Sequence, residues 1–267
     1  MQRNRTLLFA LAGVILVGGL LAIAIIETTS SDGSAASRPS TPLDASVADS
    51  LQSVPTSVFA AVGNGTAANP PTSITGTPIT ENGKPEVLYV GAEYCPFCAA
   101  ERWPLLLALS RFGTFTNLQA SHSAGDDSFP HTPTVSFYGS TYESPYLAFT
   151  PVEMYTNERE GGSYGKLQEL TDEQQKIVST YNAGGGIPYL YMGGKYEIGG
   201  ANFNPSLLAN LSVEQVAAKI QDTGSQQSQA IVGSANVLTA ALCKLTGGQP
   251  GEVCSAPEVV KAASSLK

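Results

Sequence analysis

The chain has 267 residues, enough for one large domain or two small ones, and with 13% charged residues it is slightly poor in charge for a soluble protein. Arg3 and Arg5 lie at the start and all 22 acids come after residue 26, so the 14 basic residues less two leave 12 against 22 beyond that point, a balance of −10 against −8 for the whole chain. Such an acidic chain lacks the basic footprint that phosphate binding needs, which argues against nucleic acid or anionic lipid as a ligand.

Leu7 to Ile26 is a run of 20 residues without a charge. At ~1.5 Å per residue it is long enough for one transmembrane helix across a ~30 Å hydrocarbon core. Arg3 and Arg5 precede the run and Glu27 is the first charge after it. The positive-inside rule therefore keeps residues 1–6 in the cytoplasm and places everything after the helix outside, as a single-pass protein of the cell membrane with an extracytoplasmic domain. A cleaved signal peptide is the alternative, but its apolar core usually runs ~7–15 residues, and the nearest small-x-small pair, Ser34 and Ala36, lies well beyond Ile26. Residues 27–41, rich in Ser, Thr and Ala and without aromatics, read as a flexible tether with an r.m.s. reach of roughly 20 Å.

From residue 42 the pattern is that of a mixed α/β domain. Leu43, Val47, Leu51, Val54 and Val58 recur at helical spacing with Pro55 between them, predicting one or two short helices, and Asn64 to Pro78 is a loop by composition. Val87 to Val90 is a short apolar strand, followed by the cysteine pair Cys95 and Cys98 and then a helical run from Ala99 to Phe112. Thr134–Tyr138 and Tyr146–Val152 read as strands. Thr171 with Gln174, and Ser212 with Gln215, form capping boxes that open two helices. Tyr189–Met192 and Lys195–Ile198 flank Gly193-Gly194 as a tight hairpin, and Ala230–Leu245 is a helix stopped by Gly247 and Gly248. The domain is expected to run over 42–254, with 255–267 a frayed tail.

Outside the cell, four cysteines read as two potential pairs. Cys95 and Cys98 sit between a strand and a helix. There the unpaired N–H groups and the macrodipole stabilise a thiolate on Cys95, making it the attacking thiol, while Cys98 is placed to resolve a mixed disulfide on Cys95. Pro96 suits the first helical position. A zinc site needs about four ligands, and there is one close cysteine pair with His122 and His131 nine residues apart, so no metal is expected. A purely structural Cys95–Cys98 disulfide is the blander alternative. Far downstream, Gly184-Gly185-Gly186-Ile187-Pro188 precedes the hairpin. A proline opening a strand belongs at an edge or special turn, and a cis peptide there leaves neighbouring backbone groups free for a substrate strand. The bland reading is a Gly-rich loop ending in a trans proline. Cys243 and Cys254 close a loop worth roughly 3 kcal/mol by chain entropy, either as a staple or as a relay pair exchanging with Cys95 and Cys98. Trp103 and Pro104 read as core and helix kink, His122 and His131 as solvated, and Tyr189 and Tyr191 as either groove or sheet core.

Strand, Cys95-Pro96-Phe97-Cys98, helix, then Ile187-Pro188 before a hairpin and a last helix resembles the thioredoxin superfamily. More closely, the stretch Val90-Gly91-Ala92-Glu93-Tyr94-Cys95-Pro96-Phe97-Cys98-Ala99-Ala100-Glu101-Arg102-Trp103, with Ser136-Phe137-Tyr138-Gly139-Ser140, is similar to an uncharacterised family of membrane-anchored thioredoxin-like domains, over roughly Ser53 to Cys254. The resemblance implies an α/β thioredoxin-like fold, a central mixed sheet flanked by helices, with Cys95 as nucleophile, Cys98 as resolving thiol and Pro188 as a cis proline beside them. Phe97 departs from the histidine common in strongly oxidising periplasmic relatives, and no counterpart of the acidic residue beneath the thioredoxin site can be located. The expected activity is thiol-disulfide exchange through a Cys95–Cys98 dithiol/disulfide, without a cofactor. The expected partners are exported cysteine-containing polypeptides, with a membrane thiol oxidase or reductase for recycling. The alternative is a redox-silent binding module with structural disulfides.

Overall fold

The computed structural model describes residues 40–267. The expected 7–26 membrane helix, the 1–6 segment and nearly all of the 27–41 tether lie outside the described residues. Among the described residues no helix is long and apolar enough to cross a membrane.

The chain opens with β1 (Thr41–Pro42) and two short helices, α1 (Ala45–Gln52) and α2 (Thr56–Val62), separated at Pro55. Asp44 caps α1 by accepting from the Ser46 and Val47 N–H groups. Through β2 (Thr72–Ser73) and β3 (Thr80–Glu81) the chain reaches β4 (Lys84–Gly91), and then the long helix α3 (Pro96–Ser110). Next come β5 (Thr114–Thr116), β6 (Gln119–His122), β7 (Pro133–Ser136), β8 (Thr141–Glu143) and β9 (Ala148–Glu153). A hairpin, β10 (Tyr155–Glu160) and β11 (Ser163–Lys166), leads to α4 (Asp172–Tyr181). The last part holds β12 (Tyr189–Met192), β13 (Tyr196–Gly199), α5 (Val213–Gln221), α6 (Gln226–Leu245), α7 (Gly251–Cys254) and α8 (Pro257–Ala262).

The main sheet is mixed. β4 lies at its centre, parallel to β9 on one side and antiparallel to β12 on the other, with β13 and then β2 continuing outward and β3 pairing the start of β4. The two faces of β4 follow from strand alternation. Val87 and Tyr89 join the large core with α3 and α6, whereas Leu88 and Val90 join Val152, Tyr189, Tyr191 and the α4 residues Ile177 and Val178. Both faces are covered, which is why β4 reads as an unbroken apolar run. The same packing settles Tyr189 and Tyr191 as sheet core. α3 is buried around nearly its whole circumference and is the central helix of the molecule.

Both predicted capping boxes are present, and the predicted hairpin is too, with Gly193 and Gly194 at φ of 56° and 73°; its register pairs Met192 with Tyr196, so Lys195 belongs to a three-residue loop rather than opening β13. The tail is a correction. Residues 255–267 do not fray: α8 packs Val259 and Ala262 into the core, and Lys267 exchanges backbone bonds with Pro71 and Ser73 beside β2. The periodicity of α8 is too short to stand out in sequence, and its binding surface is contributed by distant residues of α2 and α6. β5, β6, β8, β10 and β11 likewise pair locally in small sheets that no apolar alternation announces.

Candidate functional site

The carboxyl ends of the parallel strands β4 and β9 lie side by side, Gly91 opposite Glu153, and the chain leaves β4 directly into the cysteine pair. That end of an open α/β sheet is where crossing connections leave a crevice for ligands. Gly91 is required by close approach, because a Cβ there would meet the Tyr89 hydroxyl at 2.3 Å. Cys95 is the N-cap of α3 with Pro96 in the first turn, and its Sγ accepts the Cys98 N–H at 3.2 Å. The same sulfur lies 3.9 Å from the Ile187 carbonyl oxygen. The Ile187–Pro188 peptide is cis, and Tyr189 pairs with Val90 across the sheet, so residues about ninety positions apart in sequence share one ledge.

The anticipated Cys95–Cys98 bond is not formed in this structure. Both residues are free thiols, with Cys95 6% exposed and Cys98 fully buried. Their environments push them apart. The Cys98 thiol and N–H, aided by the Arg102 charge and the Phe97 N–H, hold the Cys95 thiol below its ordinary value against the effect of burial. Burial, reinforced by Cys95 itself, pushes Cys98 well up. Phe97 between them is 40% exposed and meets Phe129 edge-on at 5.7 Å, forming an apolar rim.

Behind the thiols lies a set of buried charges that the sequence analysis did not single out. Arg102, fully buried on α3, donates from Nε and Nη2 to the Glu153 carboxylate at 2.7 Å each and to the Ala92 carbonyl at 3.0 Å. Glu93 lies 3.8 Å from the same guanidinium and accepts from the hydroxyls of Ser121 and Ser136 at 2.8 and 2.5 Å. Burial raises Glu153 to about 7 even though Arg102 opposes it. Glu101 is also fully buried, accepts from Asn202, and is raised by burial to about 8. The available signal was the pair Glu101-Arg102 inside a helical run that is otherwise apolar. Charges at positions with no polar face of their own imply buried partners.

The remaining candidates fall outside this cluster. Trp103 is core, its indole N–H donating to the Pro133 carbonyl at 3.0 Å, and α3 continues through Pro104. His131 is exposed and His122 half-buried, and their rings face one another with centroids 5.1 Å apart. Among the described residues no group of three or more His, Cys, Asp or Glu side chains is arranged to hold a metal ion. Cys243 and Cys254 are bonded, with Cα atoms 5.5 Å apart. They lie toward the opposite end of the main sheet from Cys95: Leu245 reaches the Gly193 turn, whose Cβ position would lie 3.1 Å from its side chain, whereas the Cys95 end of β12 is at Tyr189. That position fits a staple and removes the contact a relay requires.

A family described as a domain of unknown function (DUF929) matches residues 70–184. The matching segment runs from just before β2 to just past α4, and so contains Cys95, Cys98, the buried Arg102 and Glu153, and both parallel strands. It stops short of Pro188, Asn202 and the Cys243–Cys254 bond. No curated protein and no solved structure matches the chain.

Proposed function

We propose that this chain is a membrane-anchored, extracytoplasmic thiol-disulfide oxidoreductase with a thioredoxin-like fold, acting on exported cysteine-containing polypeptides through Cys95 and Cys98. The observation that carries the reading is the asymmetry of the two thiols: one at a helix N-cap, held low and facing the Ile187 carbonyl, the other buried one turn deeper and held high. A nucleophile needs the first environment and a resolving thiol tolerates the second.

Starting from the dithiol, the Cys95 thiolate attacks one sulfur of a substrate disulfide, forming a Cys95–substrate bond and breaking the substrate S–S bond. The expelled thiolate takes up the proton that Cys98 loses. The Cys98 sulfur then attacks Cys95, forming the Cys95–Cys98 disulfide and releasing the second substrate sulfur, which is protonated from solvent. Two electrons pass from the protein to the substrate, and the reverse sequence oxidises a substrate dithiol. A membrane thiol reductase resets the dithiol in the first direction and a membrane thiol oxidase resets the disulfide in the second. Phe97, Phe129 and Ile187 supply an apolar rim for an unfolded segment, and the ledge at Pro188 supports pairing with its backbone. The membrane anchor rests on the 7–26 run and keeps the domain near such partners.

The test is trapping. Cys98→Ser should accumulate mixed disulfides through Cys95 with exported proteins, and Cys95→Ser should accumulate few or none. Equal trapping by both variants would count against the assignment, and a Cys95–Cys98 pair that neither reacts nor exchanges would favour the redox-silent binding module.

A further inference from the structure

Two neighbouring charges one turn below Cys98 reach in different directions. Taking ~100° per residue, Glu101 and Arg102 sit on either side of the Cys98 position on α3. Arg102 holds the helix to β9 through Glu153. Glu101 turns toward the other half of the site. Its Oε2 accepts the Asn202 backbone N–H at 2.8 Å, and the Asn202 Nδ2 donates to Oε1 at 2.8 Å and to Oε2 at 3.0 Å. Asn202 is 1% exposed and Glu101 fully buried.

Asn202 belongs to the segment that leaves β13, and that segment is fastened to the ledge. The Gly200 N–H donates to the Pro188 carbonyl at 2.8 Å, and Gly199 pairs with Tyr189. The path from Cys98 through Glu101, Asn202 and Gly200 to Pro188 is therefore connected, buried at Cys98, Glu101, Asn202 and Pro188 and half-buried at Gly200, with the Ile187 carbonyl at its end 3.9 Å from the Cys95 sulfur. Among the described residues no cation pairs with Glu101, and both of its carboxyl oxygens are used by one residue. A carboxyl group buried without a cation is a costly way to fill space whether it is ionised or keeps its proton, and an apolar side chain would pack α3 without that penalty. The Asn202 Oδ1, meanwhile, has no partner, so the pair is built around the two Asn202 donors rather than around mutual satisfaction.

We propose that Glu101 is a positioning residue which, through Asn202, fixes the Ile187-Pro188 ledge against the cysteine helix and so sets how well an extended polypeptide docks beside Cys95. The inference rests on the oxidoreductase reading and adds to it the residue pair that aligns the two halves of the site. Docking of a peptide backbone depends on the ledge. Reaction of a small reagent with Cys95 depends only on the N-cap and the charge around it. The two should therefore separate.

The experiment uses the full-length chain with a cysteine-containing peptide disulfide as substrate, and iodoacetamide alkylation of Cys95 across pH as the control. Glu101→Ala and Asn202→Ala should each raise KM for the peptide about tenfold with kcat little changed, and the double variant should be no worse than either alone because the two residues share one interaction. The pH midpoint of Cys95 alkylation should stay where it is. Glu101→Gln should restore KM to within about threefold, since an Asn202 amide turned over can accept from the new Nε2 while the new oxygen still accepts the Asn202 N–H. This isosteric variant also answers the case in which Glu101→Ala fails to fold: Asn202→Ala and Glu101→Gln then carry the comparison. An active wild type whose KM is unmoved in both alanine variants overturns the positioning role and leaves the oxidoreductase reading standing. Alkylation and KM shifting together also overturns it, because that pattern is a general loss of packing. A wild type that exchanges no disulfides overturns both.

Discussion

The two cysteine pairs of this chain sit at opposite ends of helices, and the difference shows how one fold gives the same side chain two environments. Cys95 caps the start of α3, where free N–H groups and the positive end of the macrodipole favour a thiolate. Cys243 lies in the last turn of α6, where the dipole has the opposite sign and carbonyls point outward, so a thiolate there gains nothing. Buried charges stand behind the first pair, with Arg102 paired to both Glu153 and Glu93. The cleft beside the second is lined mostly by small and apolar residues, Ala240, Val259, Val260 and Ala263, together with Lys244. The first pair is open and the second closed. On the proposed function, position along a helix, more than the cysteine spacing, is what would separate an exchanging pair from a staple.

The largest expected effect comes from removing the nucleophile. Cys95→Ser should lower disulfide exchange by about a thousandfold or more, because serine at that N-cap is not a leaving or attacking group in S–S chemistry; peptide disulfide turnover measures it. If the Cys243→Ser, Cys254→Ser double variant lost exchange to the same degree while remaining folded, the contrast between the pairs would collapse. Its expected effect is instead on stability alone, a loss of about 3 kcal/mol in denaturant unfolding for a loop of this length.

The third effect sharpens the contrast in charge. Burial holds Glu101 at about 8 and Glu153 at about 7, both above the ordinary carboxylate range, so the folded chain keeps protons that the unfolded chain releases. These two groups therefore contribute most to stability below about pH 4.5, and that contribution is lost as pH rises from there toward 8, the reverse of the usual acid lability. The thermal midpoint should fall by roughly 5–10 °C between pH 5.5 and 8.5, and Glu101→Gln should remove much of that slope. A midpoint that rises over this range would mean that both carboxyls are ionised throughout. The smallest effect is expected at the rim: Phe97→Ala should raise KM for an apolar peptide a few-fold, leaving the alkylation rate of Cys95 unchanged.

Elements that carry their own punctuation were legible in the sequence. The two capping boxes, the Gly193-Gly194 hairpin, the apolar run of β4 and the helix after the cysteines all depend on residues within a few positions of each other. The placement of the cysteine pair was legible for the same reason, since it sits at a local strand-to-helix junction. What the sequence withheld is non-local. Glu153 is close to Arg102 because β9 lies parallel to β4, and Asn202 is close to Glu101 because the segment after β13 returns across α3. Neither relation leaves a mark in local periodicity. The α8 segment failed similarly: its apolar residues Val259 and Ala262 gain meaning only against α6, which no pattern within 255–267 reveals.

Trp103 gives the molecule a spectroscopic handle. It is the only tryptophan in the chain, fully buried, fixed by its bond to the Pro133 carbonyl, and about 7.5 Å along the helix axis from Cys98. On the proposed function, the chemical event closest to this buried indole along α3 is the opening or closing of a Cys95–Cys98 bond. Emission from the native chain should therefore differ between the dithiol and disulfide forms, so that electron transfer through the site can be followed optically, in real time and without a label.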